Sequence, residues 1–179
     1  LYLPTHGDLS SIEFIAPALA SLLRNYNVII KLHYMTRSQE PDRVRRFQRI
    51  VERYSPKHAI WVDEFMEPST PFTIADIIVS DNSGAIFDAV LLDKPLIVLD
   101  TIGKSFFIRH MKTFTQRTEG TWRIPLTYKN SIEQRIKYDD ALRPGVVVRT
   151  VANLTHAIKH ALKNDSYHAR NRQRLRSML

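Results

Sequence analysis

The sequence predicts an α/β fold, a doubly wound parallel sheet with helices on both faces. Three observations predict it. Apolar runs without polar alternation occur at 28–33 (VIIKLH), 77–79 and 96–99. The stretches between them carry apolar residues three and four apart, as amphipathic helices do. A small polar turn, Ser80-Asp81-Asn82-Ser83-Gly84, directly follows one of the runs. Continuous apolar runs mark strands covered on both faces, the condition of parallel strands joined by helical crossovers. The length of 179 residues favours one domain, spanning 1–179 and closed by a basic helix at about 166–179.

Leu1 to Thr5 (LYLPT) reads as the first strand, followed by a turn at His6, Gly7 and Asp8. Ser10 or Ser11 can cap the next helix, whose Ile12, Ile15, Leu19, Leu22 and Leu23 share one face. Pro17 should delay that helix or kink it. Val28 to His33 is the second strand. Pro41 suits the first turn of the following helix. Val44, Phe47, Ile50, Val51 and Tyr54 would form its core stripe, with Arg43, Arg45, Arg46, Arg49 and Arg53 on its other faces. Ala59 to Val62 reads as a third strand and Ser69 to Ala75 as a short helix. After the strand at 77–79 and its turn, a helix runs to Asp93 and leads into the strand at 96–99. Residues 104–117 read as helix and 118–130 as loop. Asp139 to Gly145 is a turn and Val146 to Val148 a sixth strand. Thr150 can cap a helix with Val151, Leu154, Ile158, Ala161 and Leu162 inward. No internal repeat, low-complexity tract or linker interrupts the pattern.

Composition narrows the chemistry. With no cysteine, disulfides and thiolate metal sites are excluded, which fits a reducing compartment. No run approaches the roughly 20 apolar residues of a transmembrane helix, and no signal peptide is visible. The chain opens directly in a strand, as a fragment preceded by other residues would. A net charge of +8 favours anionic partners. Neither a helix-turn-helix signature nor RNA-binding aromatic motifs accompany it, so nucleic acid is not expected. Asp139 and Asp140 are adjacent and cannot face one point on a helix or strand, so they are not a metal pair. His156 and His160 are read as a polar helix face, and no metal is expected.

The turn after the run at 77–79 lies where open parallel sheets bind ligands, beyond the carboxyl end of a strand. Backbone N–H groups at a helix start favour anions. Ser80 and Ser83 offer hydroxyls, and Gly84 lacks the side chain that would keep a phosphate away. The turn is therefore expected to hold a phosphate-bearing ligand, while helix capping by the same residues is its alternative reading.

The order LYLPT, VIIKLH, DIIVSDNSGAIFDAVLLDKPLIVLD and LRPGVVV resembles the nucleotide-binding C-terminal half of the CDP-glycerol glycerophosphotransferases, the teichoic-acid primases and polymerases. These are GT-B transferases with two Rossmann-like halves around a cleft. Their first strand typically reads like LYAPT, their second ends in KLHP, and their central turn reads like SDYSS followed by FD and a KPI strand. Here Tyr34 follows His33 in place of proline, and Asn82 and Gly84 stand where the family has a tyrosine and a second serine.

The resemblance implies a CDP-activated polyol donor and transfer of glycerol phosphate to a lipid-linked cell-wall or capsule polymer. It implies further a preceding GT-B half and no cofactor beyond the donor. His33 would be catalytic, donating a hydrogen bond or positive charge to the donor phosphates. Ser80, Asp81, Asn82, Ser83, Gly84 and Ala85 would bind the diphosphate and Asp88 the ribose, with Thr5 and His6 facing the cleft at the end of the first strand. Phe65 and Met66 would neighbour the base. The location would be cytoplasmic, with Arg43 to Arg53 and Arg170, Arg172, Arg174 and Arg176 available to an anionic membrane surface. Two other readings stay open: a sugar-nucleotide glycosyltransferase or UDP-GlcNAc 2-epimerase-like enzyme, from the Asn82-Ser83-Gly84 turn, and a non-catalytic nucleotide-binding module.

Overall fold

The computed structural model describes residues 1–7, 10–54, 56–63, 65–66, 69–81, 83–100 and 142–179. Strands β1 (Tyr2–Leu3), β2 (Val28–Ile30), β3 (Ala59–Trp61), β4 (Ile78–Ser80), β5 (Leu96–Leu99) and β6 (Val146–Val148) form one sheet in the order β3-β2-β1-β4-β5-β6. Every pairing is parallel, with Tyr2 of β1 opposite Ile30 of β2 and Val79 of β4. The expected α/β Rossmann-like class is what the chain adopts. The strand order reverses between β1 and β4, the place where doubly wound sheets open a crevice.

The described α-helices are α1 (Ile12–Asn25), α2 (Tyr34–Gln39), α3 (Pro41–Tyr54), α4 (Ser69–Ile74), α5 (Ala85–Leu91), α6 (Leu154–Lys163) and α7 (Ser166–Arg176), with short 3-10 turns at Pro56–His58 and Val151–Asn153. Side chains of successive strand residues point to opposite faces, and the core divides accordingly. Tyr2, Ile30, Val79, Ile97 and Leu99 pack with Ile15, Leu19 and Leu23 of α1, Phe47 and Val51 of α3, and Leu154 and Ile158 of α6. Leu3, Ile29, Ile78, Leu96 and Val98 pack on the other side with Phe72 of α4, Ile86, Ala89 and Val90 of α5, and Leu175 of α7. The strands read as unbroken apolar runs because both faces are covered.

Several expectations are corrected by packing. Helix α1 runs through Pro17, which sits in its second turn. The bond that Pro17 cannot donate would have gone to the carbonyl of Glu13 alone. Ser11 holds the N-cap position without capping, because its Oγ pairs with the Tyr2 hydroxyl at 2.8 Å. Likewise the Thr150 side chain makes no cap bond to the turn it precedes. Tyr54 and Leu162, expected inward, are exposed, and Ala157 takes an inward place on α6. The C-terminal helix is present, but Arg172, expected to be available to an anionic surface, is turned inward. Arg172 is 1% exposed, donating to Asp93, Asp165 and the carbonyl of Pro144. Asp93 ends the α5 segment with a left-handed φ of 53°, so this ion pair ties α7 to that turn. Gly145, entering β6, is required by proximity: a Cβ there would lie 2.1 Å from the carbonyl oxygen of Leu96.

The helix expected at 104–117, the loop at 118–130, Asp139, Asp140 and Asn82 lie outside the described residues. No helix among those described is long and apolar enough to cross a membrane.

Candidate functional site

A cleft of about 210 Å³ opens at the carboxyl ends of β1 and β2, beside the segment that follows β4. Leu3, Pro4, Leu32 and Phe72 give it apolar walls, and Lys31, His33, Tyr34, Ser83 and Asp88 supply its polar groups. Its volume is below the roughly 300–1,000 Å³ of a drug-sized ligand pocket, so it suits a phosphate-sized group better than an entire nucleotide.

His33 sits where the chain leaves β2 and turns into α2. Its Nδ1 accepts from the amide of Met35 at 3.2 Å, which caps α2. In the neutral ring that bond puts the proton on Nε2, the nitrogen left to donate to a ligand. Burial, then His6 and Lys31, hold the imidazole below its ordinary pKa. The free site thus presents a neutral N–H donor at pH 7, where the sequence had left open a donated hydrogen bond or a positive charge.

The turn after β4 is divided between structure and cleft. Ser80 is fully buried and its hydroxyl donates to the carbonyl of Leu3 at 2.6 Å, joining β4 to β1. Asp81 is fully buried too, its carboxylate accepting from the amides of Thr5 and Ser11, each at 2.8 Å. Neither side chain, both expected at the diphosphate, lines the cleft; both turn inward and hold strand ends and the start of α1 together. Ser83 does line it. Its Oγ accepts from the amide of Ala85 at 3.3 Å and keeps its own hydrogen to donate.

The amides of Ile86 and Phe87 bond back to the carbonyls of Ser83 and Gly84, so the tight first turn of α5 uses groups expected to be free for phosphate. Gly84 has a right-handed backbone (φ −55°) and a Cβ there would meet nothing within 4 Å. Neither strain nor crowding requires glycine at this point. Its bareness leaves open space over the turn, as a closely approaching ligand needs.

Asp88 reaches the cleft one turn into α5, and desolvation raises its carboxyl above the ordinary value. Thr5 and His6, expected to face the cleft, do not line it; the lining from β1 comes from Leu3 and Pro4. His6 stacks instead on His33, ring centroids 4.5 Å apart. Phe65 and Met66 are exposed.

Lys31 was missed as a site residue. It is 8% exposed, lines the cleft, and donates from Nζ to the carbonyl of Asp63 at 3.3 Å. A lysine inside the apolar run VIIKLH was the available signal, since a buried ammonium is kept only where something compensates it. His156 and His160 are exposed on α6, and no group of three His, Asp or Glu among the described residues could hold a metal ion.

Comparison with known proteins agrees with this geometry in one respect. Residues 1–101 match the family model of CDP-glycerol:poly(glycerophosphate) glycerophosphotransferase, a span that contains β1 to β5 and every residue lining the cleft. No curated protein and no solved structure matches. With over half of its 179 residues matched, including the strand ends that build the cleft, the chain belongs to the CDP-glycerol:poly(glycerophosphate) glycerophosphotransferase family.

Proposed function

We propose that the chain is the donor-binding half of a glycerophosphotransferase, gripping the diphosphate of a CDP-activated polyol between His33 and Ser83. One observation carries this reading. The imidazole from the end of β2 and the hydroxyl from the turn after β4 line the same cleft, although 50 residues separate them in the chain. Lys31 adds positive charge at the cleft wall, and Asp88 offers its carboxyl to ribose or polyol hydroxyls.

In the transfer, an acceptor hydroxyl oxygen attacks the phosphorus that bears the glycerol. A new P–O bond forms, the bond to the bridging oxygen breaks, and cytidine monophosphate leaves with the electron pair. The acceptor proton passes to a base on a preceding half across the cleft. Hydrogen bonds from His33 and Ser83 oppose the charge that grows on the departing phosphate. Positioning and charge stabilisation account for the catalysis, with no group beyond the donor itself. A lipid-linked polymer as acceptor and work at the inner face of a membrane are part of the same proposal, supported by family membership and the net charge of +8.

Calorimetry of the chain with CDP-glycerol, UDP-GlcNAc and CMP tests it. Binding of CDP-glycerol and CMP with little heat from UDP-GlcNAc is expected. Preference for the uridine ligand would move the chain to sugar-nucleotide chemistry, and silence towards all three would leave an interaction module.

A further inference from the structure

A second groove, of about 510 Å³, opens between α1 and α3. Its floor is Ile12, Ala16, Pro17, Phe47, Ile50 and Tyr54. The small side chains on α1, Ala16 and Pro17, leave the trough open, and Tyr54, an inward position of α3 by spacing, stands half exposed along it.

The arginines that line it are not equivalent. Arg43 is spent within the fold, donating to Glu13, to Glu40 and to the carbonyl of Gly7. Glu13, the one acid lining the groove, bonds Arg43 and feels Arg46 only at longer range. Arg46 and Arg53 are exposed and make no hydrogen bond or ion pair among the described residues. They are two helical turns apart, so both leave the same side of α3, about 10 Å apart along its axis.

We propose that this groove docks the chain on an anionic phospholipid bilayer, with acyl chain on its floor and headgroup phosphates on Arg46 and Arg53. The inference deepens the proposed function by naming the surface that meets the membrane bearing the acceptor. It rests on that reading for its purpose, while the groove itself lies outside the donor cleft.

Three properties of the groove fit a lipid surface. The floor is apolar side chain, and an extended peptide laid on it would leave backbone N–H and C=O groups without partners. An acyl chain has none to satisfy. The second property is the arginine side chain itself, whose stem lies along apolar surface while its guanidinium stays in the headgroup layer. There it can hold a phosphate through two parallel N–H donors. The third is position. Arg43 bonds the Gly7 carbonyl, and Gly7 follows His6, which stacks on His33 of the donor cleft. The groove therefore begins close behind the cleft wall, where a membrane-borne acceptor has the shortest way to the donor. On α7, by contrast, Arg172 is turned onto Asp93 and Asp165, leaving Arg170 and Arg174 exposed.

Co-sedimentation of the whole chain with vesicles tests this, using phosphatidylglycerol mixed with phosphatidylcholine against phosphatidylcholine alone. Binding to the mixed vesicles that fades with added salt, and little binding to the neutral ones, is expected. Arg46→Gln with Arg53→Gln should lower the partition about thirtyfold, or about fivefold for each arginine. Both side chains are exposed and unbonded, so this double variant should melt with the parent. Arg170→Gln with Arg174→Gln makes the same charge change away from the groove and should cost less than about twofold. Tyr54→Ser should weaken binding several-fold at every salt concentration, because its share is apolar. Equal binding to neutral vesicles, equal losses in the two double variants, or no vesicle binding at all overturns the inference. Calorimetry with CDP-glycerol keeps the two readings apart, since the groove variants should bind it as the parent does. A chain that binds CDP-glycerol but no vesicle loses the groove and keeps the donor site. One that binds anionic vesicles but no CDP-glycerol keeps the groove and loses the donor site.

Discussion

The carboxylate of Asp81 accepts the amide of Ser11 across 70 residues of sequence, at 2.8 Å. Its other oxygen accepts the amide of Thr5, so one acid fixes both the exit of β1 and the entry to α1. Asp81→Ala should therefore act on stability first. One buried and one partly buried amide lose a charged acceptor, which costs about 2–4 kcal/mol in denaturant unfolding at an unchanged m-value. A variant that unfolds normally and yet fails to bind would return Asp81 to the ligand site.

His33 has two duties, and a careful substitution separates them. His33→Ala removes both the ligand donor and the α2 cap, and cap loss alone costs about 0.5–2 kcal/mol. His33→Asn keeps a side-chain acceptor for Met35 but removes the ring. It should melt near the parent temperature while weakening CDP-glycerol binding by about 1.5–3 kcal/mol, and Ser83→Ala should do the same. Normal binding by both would mean that neither side chain meets the diphosphate.

Acid stability follows from two half-buried imidazoles. His33 and His168 are both held below their ordinary pKa, chiefly by burial. Below about pH 6.5 the unfolded chain binds more protons than the folded one, so stability rises with pH through that window and is lost as pH falls through it. The slope of unfolding free energy against pH between about 5 and 7 should shrink in His33→Asn, as urea titrations at each pH will show. An unchanged slope would mean that His33 titrates alike in both states.

Arg172 gives a test of the C-terminal helix. Its guanidinium is buried between Asp93 and Asp165, and removing it leaves Asp165 partly desolvated with no partner there. Arg172→Ala should cost about 3–5 kcal/mol. If instead the basic tail were a solvated face, the loss would stay within about 0.5 kcal/mol.

Gly145→Ala should also destabilise, because the new methyl would overlap the Leu96 carbonyl at 2.1 Å. The backbone on both sides is committed to the β5–β6 ladder and cannot move without breaking it. A loss of about 1–3 kcal/mol or more is expected in the same unfolding measurement. A neutral result would show that the two strands can separate locally.

Element types and the location of the cleft were legible in the chain itself. Apolar runs of three to five residues, helical spacing between them and a polar turn after a strand are local signals, and each reflects a local period. They placed β1, β2, β4 and β5 and the α3 stripe of Val44, Phe47 and Val51, while the nearness of position 33 to the turn after β4 was expected only from the family resemblance. Only the folded sheet decided its strand order, the inward turn of Ser80 and Asp81, the burial of Arg172, and the stacking of His6 and Tyr34 on His33. Those outcomes depend on which polar groups meet across long sequence separations. A buried hydroxyl or carboxylate goes to whatever unpaired amide or carbonyl the packing brings beside it, and no period in the sequence records that.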